Sequence, residues 1–154
     1  MTFRASIESP LGPIALTSDG QHLTELEIGR HVAKPTTDPI IETASAQLGE
    51  YFAGHRTDFD LPLKATGTAF QESIWKALQD IPFGHTTSYG ELGQVVGRPG
   101  SARAVGGAVG ANPLPIVIPC HRVLASDRRI TGYSGGDGIP TKEKLLDLEK
   151  ISYR

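Results

Sequence analysis

Three prolines fall within the seven residues from Pro113 to Pro119, and they constrain this chain more than any other feature. Proline holds φ near about −65°, carries no N–H and pushes the residue before it toward extended geometry. No helix and no central strand can therefore run through Asn112-Pro113-Leu114-Pro115-Ile116-Val117-Ile118-Pro119-Cys120-His121-Arg122-Val123. The stretch is expected to be a stiff, extended strap, and its apolar character means burial. It ends on the only cysteine among 154 residues, with a histidine beside it. Two readings of Cys120 stay open at this point: a small buried hydrophobe, or a thiol used as a nucleophile.

The periodicity on the two sides of the chain differs. Residues 2–8, 12–18 and 22–28 read as three short strands, with Asp19-Gly20 as a hairpin signal and one wet face. Asp38-Pro39 opens a helix whose Ile40, Ile41, Ala44, Leu48, Tyr51 and Phe52 share a face that covers this sheet. His55 reads as a cation at the helix end, and residues 58–63 as an extended connector. The second half is helical. Thr68 and Gln71 form a capping box ahead of the stripe Phe70, Ile74, Ala77, Leu78 and Ile81, with Trp75 near its edge. Ser88 and Glu91 form another box, opening a helix through Leu92, Val95 and Val96. After the turn Gly97-Arg98-Pro99-Gly100, Ser101 can cap a helix from Ala102 to Gly110, completing a helix-turn-helix pattern. A last helix opens at Ile139-Pro140 and carries Leu145, Leu146 and Glu149. The expected class is α+β: residues 1–63 form a small antiparallel three-stranded sheet with a covering helix. Residues 64–154 form a mostly helical lobe containing the helix-turn-helix.

The helix from Ala102 is unusual, because Gly106, Gly107 and Gly110 each cost it about 1 kcal/mol relative to alanine. A helix tolerates that where another helix, or a nucleic-acid groove, must come close to its backbone. Arg103 is its only long side chain. The net charge of −2 excludes a generally basic nucleic-acid binder, yet Arg98, Arg103, Arg122, Arg128 and Arg129 surround Asp127 alone between residues 96 and 130. That cluster is either a phosphate-facing patch or a salt-bridged surface. One cysteine permits no internal disulfide and no Cys-x-x-Cys zinc site. No apolar run approaches the about 20 residues of a membrane span, and Met1-Thr2-Phe3-Arg4 lacks a signal-peptide core. A cytoplasmic monomer with no membrane partner is expected.

Pro119-Cys120-His121-Arg122-Val123, preceded by Asn112-Pro113 and by Arg103-Ala104-Val105-Gly106-Gly107-Ala108, resembles the O6-alkylguanine-DNA alkyltransferase family. The likeness runs from Phe70-Gln71 through Tyr89 and Tyr133-Ser134-Gly135-Gly136 to Glu149, and more weakly into the first lobe. It implies direct reversal of DNA damage: Cys120 would take the alkyl group from O6 of guanine, or O4 of thymine, once and irreversibly. The resemblance further implies that His121 deprotonates Cys120 through a water, that Glu149 orients the imidazole and that Asn112 braces the turn. Arg103 would replace a guanine flipped out of the duplex, and Tyr89 would press on that base and its phosphate. Ser101, Ala102, Gly106 and Arg122 would meet DNA through the minor groove, while Val123, Tyr133 and Ser134 would line the base pocket. No metal and no cofactor are implied. The loop at Gly136-Asp137-Gly138-Ile139-Pro140 is longer than in many members, which bears on pocket width. Rival readings are a lesion-binding, alkyltransferase-like protein without transfer, a helix-turn-helix regulator and a thiol hydrolase.

Overall fold

The structure, a computed structural model, describes residues 1–154, whose contacts divide into two compact units, Met1–Ala65 and Thr66–Arg154. In the first unit, β1 (Phe3–Ile7), β2 (Ile14–Ser18) and β3 (Leu23–Ile28) form an antiparallel sheet in the order β1-β2-β3. The register places Arg4, Ser6, Ala15, Thr17, Glu25 and Glu27 on one face. Arg4 Nη2 donates to Glu27 Oε1 at 3.0 Å there, and Glu25 is exposed, so this face is polar and partly open to solvent, although Ala15 on it is buried. The opposite face buries Ile14, Leu16, Leu26 and Ile28. Leu23 is out of phase with Leu26 and Ile28 yet equally buried, because a register shift at Thr17/Ser18 inserts an extra residue into the pairing.

Helix α1 (Pro39–Phe52) covers the buried face with Ile41, Ala44, Leu48 and Tyr51. Its cap is double. Asp38 Oδ1 accepts from Ile41 N at 2.9 Å, and Oδ2 accepts from the Ser18 hydroxyl at 2.7 Å, tying the helix start to the end of β2. The connector is more than a spacer: Pro62 O and Lys64 N bond the backbone of Leu23, so Leu63 lies parallel to the edge of β3.

The second unit is built on α2 (Ala69–Leu78), α3 (Tyr89–Val95), α4 (Ala102–Gly110) and α5 (Ile139–Leu148). Both arms of the Thr68–Gln71 capping box are present. Trp75 is not an edge residue; it is buried, and its Nε1 donates to Ala108 O at 2.8 Å, locking α2 onto α4. Ser88 Oγ accepts from Glu91 N at 3.1 Å and starts α3. Gly93 lets the following turn fold back, since a Cβ there would lie 2.9 Å from Arg98 O. Val95 lies outside the core and is 71% exposed. Ser101 does not cap α4 through its side chain; its backbone (φ −106°, ψ 31°) departs from the extended geometry that capping favours.

The strap departs from the extended form expected of it. Ile118 N bonds Leu114 O at 2.8 Å, Pro115 pairs with Ile118, and Ile116 takes φ +75°. The prolines exclude regular structure but allow a tight loop. A β-branched residue in the left-handed region costs about 1–3 kcal/mol, and the burial of Leu114, Ile116 and Ile118 offsets that cost. Residues Cys120–Arg122 then form a single 3-10 turn, and β5 (Val123–Leu124) pairs in parallel with β4 (Thr87–Ser88). Replacing Asp38 by alanine removes both the cap and the Ser18 bond. It is expected to lower the stability of the first unit by about 1–2 kcal/mol, read from urea unfolding followed by circular dichroism.

Candidate active site

Cys120 lies at a cavity of about 570 Å³. Tyr89 from the start of α3, Arg103 and Val109 from α4, Tyr133 from the glycine-rich loop and Lys142 from α5 share its wall. Ala102, Gly106 and Ser134 line it too. The residue itself is only 4% exposed, so a reagent must enter the cavity to reach it. Asn112 braces the loop beneath: its Nδ2 donates to Ile118 O at 2.8 Å and its Oδ1 accepts from Leu114 N at 2.9 Å. The thiol pKa is pushed up by burial, while hydrogen bonds from the Asn112 and Tyr133 side chains and the charge of Lys142 pull it back down.

The 3-10 turn that carries Cys120 also feeds a closed ionic cluster. The Glu149 carboxylate, at the C-cap of α5, meets His121 Nε2 at 2.6 Å. It also accepts from Arg122 Nε at 2.8 Å, Arg122 Nη2 at 3.0 Å and Gly84 N at 3.1 Å. The His121 and Glu149 side chains are wholly buried. Burial holds the His121 pKa below its ordinary value, with Glu149 pulling it up and the charges of Arg122 and Lys142 pushing it further down. A carboxylate only accepts, so the Nε2 facing it carries the proton. Nδ1 is then the ring's basic nitrogen, and it makes no hydrogen bond within the protein.

The sequence and the structure disagree on three points. Arg122 was expected at DNA, but its side chain is 7% exposed and its donors are taken by Glu149 and by Ile81 O. A guanidinium so committed cannot also reach a phosphate. Val123 does not line the cavity; it is fully buried, and its carbonyl accepts from Lys142 Nζ at 2.6 Å. Cys120 and His121 are not successive residues of an extended strand, since the 3-10 turn carries both.

Two residues escaped the sequence reading. Lys142 is 1% exposed and donates to Val123 O and Gly132 O, with its pKa pulled down to about 8 by burial. Its signal was present: Lys142, Leu145, Leu146 and Glu149 fall at i, i+3, i+4 and i+7, one inward stripe. Thr131 is the other. Its Oγ1 and the Tyr89 hydroxyl are 2.8 Å apart, while Ser134 Oγ donates to Gly110 O at 2.9 Å, so the glycine-rich loop is fastened to α3 and α4. No three His, Cys, Asp or Glu side chains group as metal ligands.

Residues 2–65 match the family model described as 6-O-methylguanine DNA methyltransferase, ribonuclease-like domain. Residues 69–151 match the companion model for the DNA binding domain. The chain belongs to the O6-methylguanine-DNA methyltransferase family. Among members of that family, it is 47% identical to a methylated-DNA–protein-cysteine methyltransferase of Mycobacterium tuberculosis over 151 residues, covering 94% of this chain and 90% of the relative. One of Haemophilus influenzae is 41% identical, with 94% and 84% covered. The crystal structure of the Mycobacterium tuberculosis O6-methylguanine methyltransferase superposes with a TM-score of 0.86 at 46% identity, covering 97% of this chain and 93% of that one. A structure from the same organism in complex with DNA gives 0.84 at 46% identity, with 96% and 92% covered.

Lys142→Met tests the electrostatics of this methyltransferase-family site. The thiol pKa is expected to move further up, and alkylation of Cys120 by a small reagent at pH 7 to slow by about tenfold. Lys142 is charged below about pH 8 and neutral above it, so the gap to the unmodified protein should narrow as pH climbs past that value.

Proposed function

We propose that this chain repairs O6-alkylguanine in duplex DNA by moving the alkyl group onto Cys120. The observation that carries the reading is a nearly buried thiol facing a cavity whose wall is shared by α4, Tyr89 and Arg103, with His121, the next residue, paired to Glu149. The thiol proton passes to Nδ1 of His121, through a bridging water. The thiolate attacks the alkyl carbon, the S–C bond forms as the C–O6 bond breaks, and the electron pair leaves with guanine. The guanine anion then takes a proton from water on N1, and the His121 imidazolium returns its extra proton to the solvent. Glu149 holds the imidazole throughout, and Lys142 and the Tyr133 and Asn112 hydrogen bonds favour the thiolate. A thioether is not hydrolysed under these conditions, so each molecule acts once. Family membership and the names of the relatives support the same reaction.

A thiol at this depth cannot meet a base inside a duplex, so the damaged nucleotide must swing out, at a few kcal/mol. In this reading α3 and α4 act as a helix-turn-helix whose α4 lies in the minor groove, with exposed Arg103 filling the gap in the stack. The glycines of α4 favour it. A Cβ at Gly107 or at Gly110 would touch nothing within 4 Å, so packing inside the protein does not require glycine at either exposed position. An external surface pressed against the helix would.

The direct test is the mass of the Cys120 peptide after incubation with a duplex holding one O6-methylguanine. One added methyl, saturating at one equivalent, is expected; tight lesion binding with unmodified Cys120 would instead make the protein a lesion marker. Cys120→Ser should abolish transfer and retain DNA binding. Gly107→Ala separates stability from binding: helix propensity alone should add up to about 1 kcal/mol of stability, while affinity for duplex DNA falls in a fluorescence-anisotropy titration.

A further inference from the structure

We propose that Arg122 is a positioning residue that, by balancing the charge of Glu149, keeps His121 from taking a second proton, and so keeps the imidazole available as a base. This rests on the reading of His121 as the acceptor of the Cys120 proton. Arg122 grips both oxygens of Glu149 through Nε and Nη2, and its Nη1 donates to Ile81 O at 2.6 Å. Its guanidinium lies 5.9 Å from the centre of the Phe83 ring. The turn after α2 thus holds the arginine through Ile81 and the carboxylate through Gly84.

The charged groups that act on His121 are Glu149, Arg122 and Lys142, and Cys120 precedes it in the same 3-10 turn. Consider the wholly buried Glu149–His121 pair without the arginine. A buried carboxylate needs a counter-charge, and the nearest source is a second proton on the imidazole. The imidazolium so formed has no lone pair and cannot take a proton from Cys120. A guanidinium, whose charge is permanent, balances Glu149 in advance. The imidazole then stays neutral, donating a hydrogen bond from Nε2–H to Glu149 and leaving Nδ1 open. The bidentate geometry matters because it engages both carboxylate oxygens at once, while one of them still meets His121.

The experiment compares the unmodified protein with Arg122→Gln and Arg122→Lys. Ring nitrogen chemical shifts of His121 are followed by NMR against pH, with a His121→Asn sample for assignment. Single-turnover methyl transfer from an O6-methylguanine duplex is measured over the same range. In the unmodified protein His121 should be neutral at pH 7 with its proton on Nε2. In Arg122→Gln the imidazolium should persist to higher pH, and transfer at pH 7 should fall about tenfold or more. The ratio of variant to unmodified rate should then climb as pH rises. Arg122→Lys should lie between, since it keeps the charge and loses the fork.

An unmodified His121 that is protonated, or carries its proton on Nδ1, at pH 7 would overturn the proposal. So would an unshifted His121 titration in Arg122→Gln, or a rate loss equal at every pH. Should Arg122→Gln fail to fold, the nitrogen shifts of the unmodified protein and of Arg122→Lys decide the question. Should the unmodified protein show no transfer at all, the repair reading fails, while the His121 titrations still decide the role of Arg122.

Discussion

Four N–H groups converge on the Glu149 carboxylate, and three separate stretches of chain are held together by it. They are the turn after α2, the 3-10 turn carrying Cys120, and the end of α5. A bare carboxylate at this depth would be costly to bury, so the cluster exists only as a complete set. Removing any one partner leaves the others charged or unsatisfied in a dry interior. The position of His121 beside the thiol therefore depends on contacts made by residues 27 and 28 positions apart in sequence.

The strap solves a different problem. A nucleophile must be held still at the wall of a cavity, and flexible chain cannot do that. Prolines remove the regular alternatives, Asn112 closes the loop with two hydrogen bonds, and Ile116 accepts an unfavourable backbone angle within a buried cluster. The loop keeps this conformation because its hydrogen bonds and buried side chains outweigh the backbone strain at Ile116. Around the thiol the same opposition is electrostatic: burial disfavours the thiolate, while Asn112, Tyr133 and Lys142 favour it. Such a site keeps the sulfur protonated at rest and lets it ionise where the proton has somewhere to go.

Much of this could be read from the residues. Local rules set the helix starts, and Asp38, Thr68 and Ser88 cap where their side-chain chemistry says they should. The pairing of Cys120 with His121 and distant Glu149 came from a motif, not from periodicity, because no local pattern reports a contact across 28 residues. Arg122 was misread for the same reason. An arginine in a basic stretch looks solvated until its partner is known, and that partner lies on another element. Lys142 was missed because lysine ordinarily marks a wet surface, although its spacing from Leu145, Leu146 and Glu149 placed it on the inward stripe. The left-handed turn at Ile116 had no signal at all, since a β-branched residue is among the last expected there.

The glycine-rich loop across the cavity is fastened at its outer edge by two exposed hydrogen bonds, Tyr89 to Thr131 and Ser134 to Gly110, and from beneath by Lys142 Nζ to Gly132 O at 3.1 Å. Bonds in contact with solvent exchange readily with water and are worth only about 1 kcal/mol each. The floor of the chamber is tied by buried, charge-assisted bonds, whereas the rim of the loop above it is tied by bonds open to solvent. The reactive end of the chamber is thus held by buried charge, and its outer rim by bonds for which water can substitute.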